Sequence, residues 1–186
     1  MSKFDNIVRI EGKRVNLCAL RTDEDAIKKY TQWMNDSDIA KYLGRSNRIA
    51  TLTDETEWAK HERPNSVAFN IVDKSADTLI GNCEITIYNR SITGNIGIAI
   101  GERDKWGTGL GTEVLQLLVK YAFEELRLHR LQLSVDESNK RAIRCYEKVG
   151  FHLCGTFHEA MFHDGYYYDK YLMEYLESEY SFESVE

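Results

Sequence analysis

The sequence predicts a mixed α/β fold, in which a mostly antiparallel sheet of about six to seven strands, flanked by helices, contains one central strand–helix–strand crossover. Three strand-like runs follow one another through short polar joints, which is the pattern of an antiparallel meander. These runs are 66–73, 78–89 and 94–101. A run with helical spacing at 112–126 then leads to an alternating run at 130–136, which indicates a crossover within 96–135.

Before the meander, the chain predicts one strand and two helices, with a further helical turn or two between the helices. Residues 14–20 alternate and carry a β-branched residue near their start, so they form a strand. The next run has an apolar stripe at helical spacing, and Thr22 is its expected N-cap. The further helical turn or two ends at Gly44, and Thr53 is the expected N-cap of the second helix.

After the crossover, the chain predicts a short helix and a closing hairpin. Ser138 or Asn139 caps this helix, and Gly150 ends it. Two strand-like runs, at 151–162 and 165–176, flank an Asp-Gly pair that is a strong turn signal. The predicted order is therefore β-α-α-β-β-β-α-β-α-β-β.

The composition is that of an ordinary globular domain. The 186 residues are 42% hydrophobic and carry a formal net charge of -6. We expect one domain at 1–178 and an acidic, flexible tail at 179–186. The first residues contain no long apolar run or cleavage-site pattern, so we expect no signal peptide, no membrane anchor and a cytoplasmic location. The acidic balance argues against a nucleic-acid partner held mainly by phosphate contacts.

The cysteines favour no metal site. They form no C-x-x-C pair, and no His cluster stands at ligand spacing. They are Cys18, Cys83, Cys145 and Cys154. We interpret them as small buried hydrophobes in a reducing compartment, and we expect no metal.

Three alternating glycines precede the crossover helix in "WGTGLGTE". Gly107, Gly109 and Gly111 stand where backbone amides and the helix dipole attract an anion, although a glycine-rich helix start without a ligand is the simpler alternative. A Walker loop is excluded, because Gly-Thr-Glu stands where Gly-Lys-Ser/Thr is required. Thr112 and the antiparallel meander disfavour a dinucleotide fingerprint, although Asp136 could contact a ribose. Of the three kinds of phosphate-binding loop, an acyl-CoA pyrophosphate loop therefore fits this glycine stretch best.

Over most of its length the sequence is similar to the GNAT N-acetyltransferases. It more narrowly resembles their ribosomal-protein N-terminal acetyltransferase (RimJ/RimL-type) branch, with its polyamine and antibiotic acetyltransferase relatives. The glycine loop and the segment "NKRAIRCYEKVGF", from Asn139 to Phe151, carry the resemblance. It implies the GNAT fold, acetyl-CoA as co-substrate, an amine acceptor, and a homodimer, which is common among such relatives.

The resemblance also implies roles for individual residues. Backbone amides of the loop would hold the coenzyme A pyrophosphate. The loop residues are Trp106, Gly107, Thr108, Gly109, Leu110, Gly111 and Thr112. The strand backbone around Ile98 and Ile100 would pair with the pantetheine arm, and Asn139 would bond the pantetheine region. Tyr146 would protonate the departing thiolate.

Two positions depart from the family pattern. Trp106 stands where many members have Gln or Arg, so a side-chain phosphate contact is lost and main-chain amides are expected to supply most of the grip. Asn95 stands where members often have Glu, which weakens the usual candidate for the general base.

Several residues remain candidates for that base. Glu84 is flanked by apolar residues, so its side chain lies on the opposite face of the strand, toward a cleft or toward solvent. Asp136 and Glu137 follow a strand end that lines the expected cleft. His158 and His163 lie near the closing hairpin, where solvation in a loop is the simpler interpretation. A chain of water molecules is a further alternative.

The residues predict direct transfer from acetyl-CoA to a primary amine in a ternary complex, because no His–acid pair is placed beside a nucleophile. The acceptor is a protein N-terminus or a small amine, with polyamines and aminoglycosides as alternatives. A catalytically silent CoA-binding module and a nicotinamide-dependent reductase are the competing classes. Tyr146 and the complete loop favour the enzyme, although core packing is the structural alternative for Tyr146.

Overall fold

A computed structural model describes residues 6–44, 48–88 and 92–181. Its centre is one 8-stranded sheet in the order β1-β2-β3-β4-β5-β6-β8-β7. The strands are β1 Val8–Glu11, β2 Val15–Ala19, β3 Ser66–Asp73, β4 Thr78–Tyr88, β5 Thr93–Ile100, β6 Arg130–Asp136, β7 His152–His163 and β8 Tyr166–Leu176. The predicted mixed α/β fold is confirmed, with an additional strand because β1 pairs with β2 at one edge.

Within the described residues, five α-helices flank the sheet. They are α1 Glu24–Asn35, α2 Ser37–Ala40, α3 Leu52–Lys60, α4 Leu110–Lys120 and α5 Lys140–Val149. The chain continues from α4 through one π-type turn at Tyr121–Glu125, and the two together form the crossover helix predicted at 112–126.

Two helices begin at a residue near the predicted N-cap. Asp23 rather than Thr22 caps α1, because its carboxylate accepts a backbone N–H of the first turn and is favoured by the helix dipole. Thr51 rather than Thr53 caps α3, because Thr51 and Asp54 form a reciprocal capping box.

The crossover opens a gap in the sheet. All neighbouring strands are antiparallel except β5 and β6, which are parallel and joined by α4. Their pairing is limited to 93–95 opposite 130–132. Beyond these residues, β5 continues along β4 to Ile100 and β6 continues along β8 to Asp136, so β5 and β6 diverge.

Helices cover both faces of the sheet. On one face, α4 buries Val114, Leu118 and Phe123 in the main core. On the other, α1 and α3 form a separate apolar cluster that includes Tyr30 and Trp33. The gap therefore lies between two layers of helices.

The closing hairpin turns at the predicted Asp-Gly pair. Asp164 and Gly165 have φ of 53° and 83°. Positive φ at both central residues is the geometry of a type I′ turn, which matches the twist of the paired strands β7 and β8.

The expected tail is described only in part. The Tyr180 hydroxyl donates to Glu124 at 2.7 Å, whereas 182–186 lie outside the described residues. Across the described ranges, no helix is long and apolar enough to cross a membrane. Within the same ranges, no group of three or more His, Cys, Asp or Glu is placed to hold a metal ion.

Candidate active site

The gap exposes one edge of β5. The Gly101 N–H donates to the Ile80 carbonyl of β4 at 2.8 Å. Because backbone groups alternate in direction along a strand, those of Ile98 and Ile100 point into the gap. Both residues were predicted to contact a pantetheine arm. The Trp106 indole N–H already donates to the Ile100 carbonyl at 2.8 Å, so the Ile100 N–H and both backbone groups of Ile98 remain.

The loop before α4 presents a row of backbone amides. Gly107 and Gly109 have φ of 74° and 87°, a left-handed conformation that glycine adopts without strain. Among the described residues, the amides from Gly107 to Thr112 have no acceptor, and the next amide, that of Glu113, donates within the helix. The Trp106 amide donates to the preceding turn, so the predicted row begins one residue later. Such a row at a helix N-terminus suits an anion.

The third glycine is not required by the backbone. Gly111 lies in the first turn of α4 and has no positive φ. A Cβ there would lie 3.8 Å from the Cys145 sulfur and 4.0 Å from an Ile100 side-chain carbon, which are ordinary contacts. Since the protein leaves room for a side chain at Gly111, this space is open to a ligand that approaches the backbone closely. The observation favours an anion loop over a helix start without a ligand.

Side chains outside the loop hold it in place. Arg14 donates to the Thr108 carbonyl at 3.0 Å and pairs with Glu113 at 2.9 Å. Lys105 pairs with Asp73 at the end of β3, with 2.8 Å between nitrogen and oxygen. This contact, together with hydrogen bonds from Ser75, lowers the pKa of Asp73 to about 2. The loop is therefore fixed to β3 and to the residue that precedes β2.

A cleft of about 470 Å³ fills the gap and follows the loop. Every residue predicted for the donor site lines it except Thr108, whose carbonyl faces Arg14, and Leu110, which is buried in the core. Four basic side chains also line the cleft: Lys105, Arg141, Arg144 and Lys148. Its charge therefore suits a polyanionic ligand.

Trp106 supports one of these cations. The guanidinium carbon of Arg141 lies 3.9 Å from the centre of the Trp106 ring, and no carboxylate of the described residues pairs with it. A cation from α5 therefore lies beside the position where a side-chain phosphate contact was expected to be lost. Sequence reasoning missed Arg141. The available signal was a basic stripe at helical spacing on α5, formed by Arg141, Arg144 and Lys148.

Asn139 and Tyr146 face the cleft from α5, two helical turns apart. Asn139 caps the helix, because its side-chain oxygen accepts the Ala142 N–H at 3.2 Å, and its NH₂ group has no acceptor among the described residues. Tyr146 is 9% exposed and packs on Phe151, and its phenol bonds to no described residue. Burial raises the pKa of Tyr146, so the phenol keeps its proton at neutral pH.

A second cavity, of about 210 Å³, lies between the sheet and helices α1 and α3. Ile98 and Ala99 line both cavities. Glu84 lines the second one, with its carboxylate 4.0 Å from the Arg63 side chain. Gly97 lies opposite Glu84 in the sheet, and a Cβ on Gly97 would meet no atom within 4 Å. The two cavities therefore meet at the free edge of β5.

The other acid–base candidates line neither cavity. Asp136 is buried and bonded, and Glu137 accepts the Asp169 N–H at 3.0 Å. His158 is exposed and pairs with Asp169. The expectation of a solvated His163 is wrong, because Asp136 lies 2.8 Å away and both side chains are buried.

Comparison with known proteins identifies the family. The model of the acetyltransferase (GNAT) domain matches residues 14–152. An uncharacterized N-acetyltransferase, p20, of Bacillus licheniformis is 29% identical over 159 residues, which are 81% of this chain and 86% of that protein. An aminoglycoside N(6')-acetyltransferase type 1 of Klebsiella pneumoniae is 30% identical over 159 residues and 74% of either chain.

A solved structure agrees with these relatives. Spermidine N-acetyltransferase of Vibrio cholerae, in complex with CoA and spermine, has a TM-score of 0.79 and 25% identity over 89% of this chain and 97% of that one. The chain belongs to the GNAT acetyltransferase family. It is an acetyl-CoA-dependent N-acetyltransferase.

Proposed function

We propose that this protein transfers the acetyl group directly from acetyl-CoA to a small cationic amine while both substrates are bound. The observation that carries the proposal is the meeting of the two cavities at Ile98 and Ala99. A donor in the basic cleft and an acceptor in the second cavity would bring thioester and amine together at the edge of β5.

On the donor side, the pyrophosphate would accept hydrogen bonds from the amides between Gly107 and Thr112. Arg141, fixed on Trp106, adds a positive charge beside them. The Ile98 carbonyl and the Ile100 N–H would pair with the pantetheine arm as a neighbouring strand would. The free NH₂ group of Asn139 would donate to one of the pantetheine carbonyls.

Residues that line the two cavities supply the acid–base chemistry. An alkylammonium has a pKa of about 10 and must lose a proton before it attacks, for which the Glu84 carboxylate serves as base. A backbone amide at the free edge of β5, that of Ile98, stabilises the negative charge that develops on the thioester oxygen. Tyr146 donates its proton to the sulfur as the carbon–sulfur bond breaks.

Cys145 is a poor candidate for a covalent intermediate, although it lines the cleft. Burial raises the pKa of its thiol, and the contact with the Thr112 hydroxyl at 3.2 Å offsets this only in part. Among the described residues that line the donor cleft, none is a histidine that could take the thiol proton. Direct transfer is therefore favoured over an acyl-enzyme.

The acceptor cavity favours a cation. Glu84 and Glu55 line it, and it continues past Trp58 into an outer cavity of about 290 Å³ that Asp54 and Glu57 line. Among the described residues, four carboxylates therefore line this path, against Arg48 at its outer end and Arg63 beside Glu84. The relatives include enzymes named for aminoglycosides and for spermidine, and both kinds of compound carry several amino groups. These relatives therefore support the same class of acceptor.

A protein N-terminus is the competing acceptor, as expected from the RimJ/RimL-type resemblance. Such an acceptor brings one ammonium group followed by a peptide backbone. The carboxylates that continue into the outer cavity suit several ammonium groups better than a backbone.

A cytoplasmic location is compatible with both acceptors and remains a prediction.

Two glycines allow the donor and acceptor halves to be tested separately. Gly97→Val would extend into the acceptor cavity, and Gly111→Val would extend into the donor cleft. We expect Gly97→Val to raise KM for the amine by about tenfold or more and to keep the affinity for acetyl-CoA. Gly111→Val should raise KM for acetyl-CoA by about the same factor and keep KM for the amine. Thiol release with spermidine, an aminoglycoside and an N-terminal peptide measures these values.

The acceptor panel separates the alternatives. Acetylation of the peptide alone would contradict a small cationic acceptor. Acetyl-CoA binding without thiol release on any amine would identify a catalytically silent CoA-binding module. Equal effects of both glycine variants on both substrates would contradict two cavities with separate roles.

A further inference from the structure

A buried histidine–carboxylate pair lies outside both cavities and has no part in the proposed chemistry. The His163 Nε2 atom lies 2.8 Å from the Asp136 carboxylate, and the two side chains are 3% and 0% exposed. Asp136 also accepts hydrogen bonds from the N–H and hydroxyl of Ser138, at 2.8 and 2.6 Å. The pair therefore joins the tip of the closing hairpin to the turn that leads to Asn139 and α5.

The other ring nitrogen of His163 extends this network to the surface. Nδ1 lies 3.1 Å from the Asp164 carboxylate, and Asp164 lies 3.4 Å from Lys41 Nζ. Contacts with His163 and Lys41 hold the pKa of Asp164 below its ordinary value. Because both ring nitrogens face carboxylates, a doubly protonated ring donates to both, whereas a neutral ring donates to one.

Lys41 belongs to a segment that borders the donor cleft. We call residues 37–43, which comprise α2 and the turn after it, the wall segment. Its cleft-lining members are Asp38, Ile39, Tyr42 and Leu43. The Tyr42 ring meets the His163 ring edge-on, with 6.0 Å between their centres. Leu43 also lines the acceptor cavity, so the wall segment borders the place where the cavities meet.

We propose that Asp136 and His163 form a positioning pair that holds the wall segment against the donor cleft. A wall that is ordered before binding lowers the entropy cost of binding, so the pair increases the affinity for acetyl-CoA. This effect on affinity rests on the proposed function. The mechanical link between His163 and the wall segment does not.

Groups from several elements surround the His163 ring. They are Asp136 of β6, Asp164 beside it, Tyr168 stacked on the ring from β8, Tyr42 of the wall segment, and Lys41 behind Asp164. Asp136 is fully buried and Asp164 is 61% exposed, so Asp136 fixes the ring from inside the protein. The ring then reaches the wall segment through Asp164 and Tyr42.

Hydrogen exchange in the full-length, ligand-free protein tests the mechanical link. His163→Gln keeps a polar side chain and removes the ring that faces both carboxylates, so exchange of 37–43 should rise about tenfold while that of α4 stays unchanged. Lys41→Met leaves the buried pair intact and should raise exchange of the same segment. His158→Gln is the matched control, because His158 lies on the same strand, pairs with Asp169 and is 81% exposed.

A further readout distinguishes positioning from a purely structural role. The Kd for acetyl-CoA, measured by calorimetry, should rise about fivefold in His163→Gln and Lys41→Met and stay unchanged in His158→Gln.

The outcomes separate this inference from the proposed function. Unchanged exchange of 37–43 in both variants would overturn the link, and faster exchange throughout the protein would show a structural role alone. Faster exchange of 37–43 with an unchanged Kd would overturn the effect on affinity. A wild-type protein that does not bind acetyl-CoA would contradict the proposed function, and exchange in the ligand-free protein would still decide the link.

Discussion

Tyr146 has a buried phenol that faces the donor cleft and bonds to no described residue. Tyr146→Phe keeps the ring that packs on Phe151 and removes only the proton donor. We expect kcat to fall about a hundredfold and KM for acetyl-CoA to stay within about twofold, since a positioned acid contributes on this order. Because burial raises the pKa of Tyr146, wild-type activity that depends on the protonated phenol should decline only at alkaline pH, as a pH–rate profile would measure.

Tyr175→Phe is the matched control for this residue. Tyr175 packs on the same Phe151 ring and lines neither cavity, so its kcat should remain near the wild-type value. If Tyr146→Phe also kept the wild-type kcat across the alkaline range, Tyr146 would be a core aromatic and not the acid.

At this scale, sequence reasoning succeeded where a role depends on local spacing. Asn139 and Tyr146 lie two helical turns apart, so one face of α5 could be predicted to carry both. His163 could not be interpreted in the same way, because its partner Asp136 lies 27 positions earlier and meets it only through the pairing of distant strands. Contacts of this kind decide whether a polar side chain is solvated or buried.

The stack of Trp106 on Arg141 joins two elements, the loop and α5. Arg141→Ala should raise KM for acetyl-CoA about tenfold with little change in kcat, because it removes a charge that holds the bound donor in ground state and transition state alike. Trp106→Ala should act in the same direction, because it removes the surface on which Arg141 is fixed. The double variant should cost less than the sum of the two, as expected for residues that act as one unit. Initial rates at varied acetyl-CoA measure all three.

Lys140→Ala is the control for these variants. Lys140 carries the same charge on the first turn of α5 but does not line the cleft, so its KM should stay close to the wild-type value. Strictly additive effects of Trp106→Ala and Arg141→Ala would contradict the hypothesis that the two residues act as one unit in holding acetyl-CoA.

Elements with a strong hydrophobic period could be predicted closely, as the meander and the crossover helix show. The edge strand β1 could not, because three of its four residues are exposed and no alternation marks it. The observed start of a helix differed from the predicted one where two possible capping residues stand close together. The choice of Thr51 over Thr53, for example, depends on the reciprocal hydrogen bonds with Asp54. Tertiary and local polar contacts, more than propensity, determine such boundaries.

On the scale of the whole molecule, one topological feature produces the site. A parallel crossover inside an antiparallel sheet was predicted from the order of strands and helices. The position where β5 and β6 diverge was not, because it depends on β6 pairing with β8 along its whole length while β5 pairs with β4. This divergence leaves the edge at Ile98 unpaired and joins the donor cleft to the acceptor cavity.

The resistance of the fold to acid should depend on Asp73, which anchors the loop through Lys105. Contacts with Lys105 and, to a smaller extent, with Ser75 lower the pKa of Asp73 to about 2, whereas an unfolded aspartate has a pKa of about 3.9. The carboxylate therefore stabilises the fold above about pH 4, and this contribution is lost as the pH falls toward 2. In urea titrations, Asp73→Asn should lower the free energy of unfolding at pH 7 by about 1 to 2 kcal/mol and flatten its decline in acid. Asp104→Asn, beside the same lysine but 71% exposed, should change neither quantity, and a wild-type acid profile in Asp73→Asn would show that the ion pair does not stabilise the fold.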